Sequence, residues 1–577
     1  MTKKGCVLIL AATIVALVLR LPRLQQRPMH GDEAVHAVKF GELLERGVYK
    51  YDPEEYHGPT LNYLTLIPAW LTGAENLEQV TEFTLRIVPV FFGVCLVILL
   101  LLVMDGLGTA AAVYAGVLTA ISAAMVFYSR YYIQEMLLVF FTFGAIVSGY
   151  RYTKSKNIAW ALSTGAFLGL MHATKETCII AFGAMFLAVV LTLVTKGGNP
   201  KRSLGMVSGI SAIPKAFGTS TSLSTGFEAA THLIAGLAAG VIVSALFFSS
   251  FLSNPGGILD SLRTYTTYFN RAGQSSLHIH PWYYYLEMLV YFQYGGGPIW
   301  SEGPIVFLAV VGFVAAMLRK GPPSANIHLL RFIAFYTLIM TVVYSAIPYK
   351  TPWCVLGFLH GMILLAGVGA VVLVRLVPNV LPRLIILCLL FDASAYLTWQ
   401  AYRGNYRYYA DSRNPYVYAH PTKEVFTIVQ RVEEMAKAME KMAREKPSKI
   451  KMHIQVVCPG KDYWPLPWYF RGTPFSENNG KWEPRGFEKH VIGWWDHVDP
   501  NTPSAPLIIA SPEVETALTD KLYNLTPAED RQMYLFLFEK PYYMWLRPKI
   551  KLLGFVRKDL WNYYQQMQSQ TSVESTK

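Results

Sequence analysis

Charge is scarce in this chain: Asp, Glu, Lys and Arg make up 15% of its 577 residues, against about 25% in an average soluble domain. With 53% hydrophobic residues and a mean hydropathy of +0.30, that shortage excludes an ordinary soluble protein and indicates one that lives in a membrane. Cysteine is equally sparse. Of the six, Cys6, Cys95, Cys178, Cys354 and Cys388 lie within or beside apolar runs, with no CxxC and no metal-ligand spacing. Cys458 is alone in the polar tail, so no disulfide within that region staples it. Gly-rich phosphate loops of the GxGxxG and GxxxxGK[ST] types are missing, which leaves nothing to argue for a nucleotide site. The formal charge of +13 does not point to nucleic acid, because the basic residues form short clusters between apolar runs and no stripe with a base-reading motif.

What is present is a series of roughly eleven apolar runs long enough to cross about 30 Å of hydrocarbon as helices. They centre near residues 5–21, 84–103, 108–127, 136–150, 158–174, 177–195, 231–251, 303–318, 329–348, 353–374 and 381–399. The opening "MTKKGCVLILAATIVALVLRLP" has the basic start and apolar centre of a signal peptide but no small-x-small cleavage site, and reads as a retained anchor. The expected architecture is a polytopic α-helical membrane domain over residues 1–400, with outer loops at 22–82 and 253–302, followed by a soluble α/β domain over 401–577. That tail alternates a helical repeat, "KEVFTIVQRVEEMAKAMEKMARE", with strand-like "KIKMHIQVVC" and "APLIIAS". The inner loop from Gly197 to Ser224, rich in Gly and Ser, reads as a flexible linker.

Orientation follows from the short basic clusters, which mark cytoplasmic ends. With Lys3 and Lys4 inside, alternation also places Arg151, Lys154, Lys156, Lys196, Lys201, Arg202, Arg319, Lys320, Arg375 and Arg383 inside. The same topology leaves only Asp105 and Glu228 among the early acids on the inner side and Asp392 within a span, while Asp32, Glu33, Glu135, Glu176, Glu287 and Glu302 face outward. Polar chemistry, and the soluble tail, are therefore expected on the extracytoplasmic face of a multi-pass protein of the cell membrane.

The first outer loop carries "RPMHGDEAVHAVKFGELLERG". Adjacent Asp32 and Glu33 diverge by about 100° on a helix, so they are not a facing carboxylate pair, and one acid must act alone. Asp32 follows Gly31, which lets a substrate approach, and suits a general base. Equally, the two acids suit the N-terminus of the helix that follows. His30, Asp32 and His36 form a loose candidate set for a divalent metal, with His57 nearby in sequence. Short outer turns contribute Arg130 and Glu135 in "YSRYYIQE", Lys175 and Glu176 in "HATKETCII", and Lys350 in "PYKTPW". Charges there suit snorkelling to the interface; three outer cations beside an acidic loop also suit an anionic ligand such as a lipid phosphate. His278, His280 and Trp282 precede an aromatic stretch suited to interfacial anchoring.

"HGDEAVHA", "YHGPTLNYL", "SRYYIQEMLLVFF", "TKE", "HPWYYYL", "YKTPW" and "YAHPTKEV" together resemble the type C glycosyltransferases of the protein O-mannosyltransferase and lipid A aminoarabinose transferase group. Within it the phrases are most similar to a prokaryotic family named for an association with flippase activity in archaeal N-glycan assembly. The resemblance implies sugar transfer, with inversion and without a nucleotide, from a polyprenyl-phosphate donor at the outer face to a lipid-linked glycan or protein acceptor. It also implies Asp32 as the acceptor-activating base with Glu33 beside it. Arg130, Lys175 and Lys350 are expected at the donor phosphate, and His30, His57, Glu135, Glu176, His280 and Trp282 around the substrates. A lipid-glycan flippase, or a non-catalytic partner of one, is the alternative the family name carries.

Overall fold

The computed structural model describes residues 2–54, 57–195, 220–272, 278–445, 452–471, 473–478, 481–486 and 490–575. Tyr56, the basic residues Lys196, Lys201 and Arg202, and most of the inner linker lie outside the described residues.

All eleven apolar runs are helical: Lys3–Arg20, Glu82–Leu107, Thr109–Ile121 continuing into Ala123–Ser129, Glu135–Ser155, Ile158–His172, Cys178–Val194, Ser220–Phe248, Gly303–Met317, Ile327–Ala346, Leu356–Leu376 and Val380–Tyr402. Six helices among the described residues are long and apolar enough to cross a membrane, or seven if the bent pair around Ser122 is one span. Ile158–His172, Cys178–Val194 and Gly303–Met317 are apolar but shorter. At 1.5 Å per residue the longest of these three reaches only about 25 Å, so length and composition stop short of the eleven spans expected from the runs.

Small residues set the closest helix contacts. A Cβ placed on Gly165 would lie 1.7 Å from the Gly236 carbonyl oxygen, and one on Gly169 would lie 2.3 Å from that of Gly240. Two GxxxG pairs therefore meet face to face, the arrangement that lets helix backbones touch where no hydrophobic effect drives association. The break at Ser122, bent by 58°, is bracketed by opposite charges. Arg20 donates to the carbonyls of Thr119 and Ala120, both at 2.8 Å, and to Ser129 Oγ at 3.0 Å. Glu302 accepts from the Ala124 N–H at 2.7 Å, from Ser122 Oγ at 2.7 Å and from Tyr416 Oη at 3.1 Å. A cation thus meets the carbonyl end of the first half-helix and an anion the amide end of the second, as the helix dipole favours.

The chain forms two compact units that interleave in sequence. One comprises Met1–Leu24, Val48–Thr65 and Arg86–Tyr418 and contains nearly all the apolar helices. The other comprises Gln25–Gly47, Leu66–Leu85 and Ala419–Lys577. This second unit is the small α/β domain. Its strands are β1 (Met452–Val457), β2 (Thr473–Asn478), β3 (Lys481–Gly486), β4 (His490–Trp495), β5 (Leu507–Ala510), β6 (Tyr534–Phe536), β7 (Tyr543–Arg547) and β8 (Ile550–Arg557). They run in the order β2-β3-β4-β1-β5-β8-β6, with β7 also paired to β8, and β1 is parallel to both β4 and β5. Central β1 and β5 are covered on both faces, as parallel strands require. Ile454, Val456, Leu507 and Ile509 pack with Val425, Ile428 and Val432 of the Glu424–Glu445 helix. Val457, Ile508 and Ala510 pack on the other side with Val514, Leu518 and Leu522.

Candidate functional site

Two constellations hold the residues singled out by sequence, one in each compact unit. In the α/β unit the "GDE" residues open the helix Gly31–Arg46. His30, not an acid, is its N-cap: Nδ1 accepts from the Asp32 N–H at 3.0 Å, while Glu33 reaches back to accept from the His30 N–H at 3.1 Å. That reciprocal capping box answers two of the amides orphaned at a helix start. Glu33 is completely buried and also faces Arg27 at 3.4 Å. Its carboxylate is thereby committed to structure. Asp32 lies in the same turn with its side chain 49% exposed, Oδ1 standing 3.9 Å from His30 Nδ1. Only one of the two acids, Asp32, is presented to solvent.

Among the described residues no three His, Cys, Asp or Glu side chains converge as a metal site would require. The proposed set therefore does not assemble: His30 Nδ1 is occupied by an amide, and His36 is buried along the helix.

In the membrane unit, Glu135, Lys175, Glu176 and His57 come together at turns beside the apolar helices. Lys175 Nζ pairs with Glu135 Oε1, both buried. Burial alone would push the Lys175 ammonium down, but the Glu135 carboxylate outweighs it and holds the proton on. One residue on, Glu176 Oε2 lies 2.8 Å from His57 Nδ1 and Oε1 accepts from Tyr51 Oη at 3.0 Å. Burial raises the Glu176 carboxyl, and the facing His57, by charge and by hydrogen bond, more than reverses this, leaving it below the ordinary carboxylate range. Gly58 makes the His57 approach feasible, since a Cβ there would lie 2.2 Å from the Ala173 carbonyl oxygen. Lys175 and Glu135 line a cavity of about 40 Å³ together with Tyr336, Tyr344, Cys354 and His360. A separate, largely apolar cavity of about 1110 Å³ opens between membrane helices, with Gly165, His172, Gly240 and Ser244 on its wall.

The other two cations hold backbone. Arg130 donates to the carbonyls of Arg20 and Pro22, both at 2.7 Å, and its guanidinium lies 4.8 Å from the Tyr406 ring centre. Lys350 Nζ donates to the carbonyls of His280, at 3.2 Å, and Ile347. His280 stacks on Tyr284 with ring centres 4.2 Å apart. Trp282, 66% exposed, stands apart from these contacts. Tyr51, Arg27 and Arg20 escaped sequence reasoning. Arg20 had a readable signal, a lone cation ending an apolar run, whereas Tyr51 had none.

Residues 61–251 match the family pattern of dolichyl-phosphate-mannose-protein mannosyltransferase. No curated protein matches the sequence. The crystal structure of ArnT from Cupriavidus metallidurans bound to undecaprenyl phosphate is similar over 96% of this chain and 98% of its own, at 14% identity and a TM-score of 0.57. AglB from Archaeoglobus fulgidus, in complex with an inhibitory peptide and a dolichol-phosphate, is similar over 90% of this chain and 70% of its own, at 12% identity and a TM-score of 0.51. Against the A. fulgidus oligosaccharyltransferase tethered with an acceptor peptide, the chain spans 62% of that protein's length, at 14% identity and a TM-score of 0.48. The chain is thus similar to dolichyl-phosphate-mannose-protein mannosyltransferases by family pattern over residues 61–251, and to the ArnT and AglB structures by fold over most of its length.

Proposed function

We propose that the protein transfers a sugar from a polyprenyl-phosphate donor to an acceptor hydroxyl at the extracytoplasmic face, with Asp32 as the base. The observation that carries this is the division of labour in the "GDE" turn, where Glu33 is locked in the capping box and Asp32 is exposed. In the reaction the acceptor O–H gives its proton to Asp32 as its oxygen bonds to the anomeric carbon. The bond from that carbon to the phosphate oxygen breaks, and the electron pair leaves with the polyprenyl phosphate. Attack opposite the leaving group inverts the anomeric centre.

Within the membrane unit, Lys175 is the proposed phosphate-binding cation, because its present partner is a side chain that can be exchanged for another anion. Arg130 and Lys350 support turns through backbone carbonyls on this reading. ArnT was solved with undecaprenyl phosphate and AglB with a dolichol-phosphate, and the chemistry those lipids share is the donor class proposed here. The apolar cavity of about 1110 Å³ suits the isoprenoid tail. The C-terminal α/β domain is extracytoplasmic in this scheme.

The test is turnover of purified full-length protein with a panel of polyprenyl-phosphate sugars, wild type beside Asp32→Asn. Loss of at least about 100-fold in transfer with donor binding retained, the size expected of a general base, supports the assignment. Equal activity in the variant removes Asp32 from the mechanism, and a wild type inert toward every donor turns the reading to lipid-glycan translocation.

A further inference from the structure

Two polar groups inside the membrane unit are buried with nothing to bond. Tyr336 and His360, each 4% exposed, lie on the helices Ile327–Ala346 and Leu356–Leu376. Tyr336 Oη and His360 Nε2 have no hydrogen-bond partner among the described residues. A hydroxyl or ring nitrogen buried in this way is costly, and native proteins seldom leave one without a partner. Both side chains line the cavity of about 40 Å³ whose wall also carries Lys175 and Glu135.

The cavity is a slot, and loose packing does not explain it. Along the helix Glu135–Ser155 its wall runs from Glu135 through Thr142 and Phe143 to Ile146, a rise of about 16 Å. The two other helices touch closely beside it: a Cβ on Gly361 would lie 2.3 Å from Thr337 Oγ1, and one on Gly357 3.3 Å from Met340 Cε. His360 is held edge-on to Phe143 with ring centres 4.7 Å apart. The space left between these fixed groups is enough for about three waters, at about 10–15 Å³ each. Thr142 adds an acceptor, since its hydroxyl, which donates to the Leu138 carbonyl at 2.7 Å, keeps its own lone pairs. An apolar occupant would leave both orphan atoms unsatisfied. Water bonds to both, donating or accepting as the tautomer of His360 requires.

We propose that the slot is a water site, its waters running from the Glu135–Lys175 pair to Tyr336 and His360. Its role rests on the reading of Lys175 as the phosphate-binding cation. Lys175 cannot turn to another anion without leaving the Glu135 carboxylate buried and unpaired, a strongly unfavourable state. Waters anchored on Tyr336 and His360 donate to that carboxylate in the lysine's place, so the change of partner becomes accessible. Tyr336 and His360 are then positioning residues, acting on the phosphate through water, Glu135 and Lys175.

X-ray radiolysis of the purified full-length protein in nanodiscs reads the waters directly, because a hydroxyl radical made from a bound water oxidises the side chain beside it even where bulk solvent does not reach. Met340, on the slot wall, is the reporter, and Met125, similarly buried and on the wall of neither cavity, is the reference. The expected result is oxidation of Met340 several-fold faster than Met125, falling toward the Met125 rate in Tyr336→Phe and in His360→Leu. Equal rates in wild type mean a dry slot and overturn the proposal. Binding of undecaprenyl phosphate tests the role. Its dissociation constant is expected to rise several-fold in His360→Leu and to return toward wild type in His360→Gln, which keeps a hydrogen-bonding group. Unchanged binding in a folded His360→Leu whose Met340 rate has fallen overturns the role. If Lys175→Ala binds as wild type does, the phosphate reading fails, while the Met340 rates still decide the water site. Thermal unfolding shows which variants fold, and Tyr336→Phe, which removes a single oxygen, decides where His360→Leu does not fold.

Discussion

Asp32 and Glu33 are consecutive acids with opposite surroundings, and the contrast has a measurable consequence. Replacing Glu33 by Gln weakens its hydrogen bond to the His30 amide and removes the charge facing Arg27. We expect a loss of about 1–2 kcal/mol in thermal unfolding. Asp32→Asn, half-exposed, shifts stability by less than about 0.5 kcal/mol. The sequence pointed to a single acting acid, with Asp32 preferred, as readily as to two helix-capping acids, and could not say which of the two was held by structure. His is not a favoured cap, so nothing at position 30 announced the capping box. A second residue-scale expectation concerns Glu176, whose folded carboxyl is held below its ordinary value of 4.5 by His57. The unfolded chain therefore takes up the proton first as acid is added. The stabilisation is complete above that value and is lost as pH falls through the lower, folded one. Unfolding temperature followed on acidification reads this out, and Glu176→Gln flattens the dependence.

At the scale of elements, the helix contacts were less legible than the helices. Hydropathy located all eleven helical runs, because burial in lipid requires each run to be apolar throughout. It gave no sign of which faces meet, since a helix apolar on all sides has no stripe to read. The Gly165 and Gly236 contact is such a face. Gly165→Leu forces backbones apart and is expected to cost at least about 1–3 kcal/mol, the range for overpacking. Gly183→Ala is the control, because a Cβ there meets nothing within 4 Å. Thermal unfolding in detergent separates the two. The break at Ser122 was also invisible, as no Pro or Gly marks it. Its half-helices are held by Arg20 and Glu302, which lie far off in sequence, and pattern reading along a window cannot connect such residues.

At the scale of the whole molecule, the pattern of apolar runs and of helix-like and strand-like segments was enough for the fold class, an apolar helical part and a small α/β part. It was not enough for the grouping of segments. Residues 25–47 and 66–82 read as parts of an outer loop over 22–82, yet they belong to the compact unit completed by residues 419–577. Within that unit Met29 donates its N–H to Tyr469 Oη at 2.9 Å, and Trp468 Nε1 donates to Glu82 at 2.9 Å. These pairings join residues hundreds of positions apart, beyond the reach of any local signal.

The interleaving also sets an order of events during synthesis. The helix bearing Asp32 leaves the ribosome early, but the residues that complete its unit follow roughly 370 positions later, about 20–75 s behind at ordinary elongation rates of 5–20 residues per second. Until then the "GDE" turn has its cap but not its neighbours. A nascent or truncated chain can have every apolar helix inserted while the turn carrying the proposed base is still without the packing that fixes it. Synthesis of residues 419–577, rather than insertion of the apolar helices into the bilayer, is the step that brings the packing around that turn.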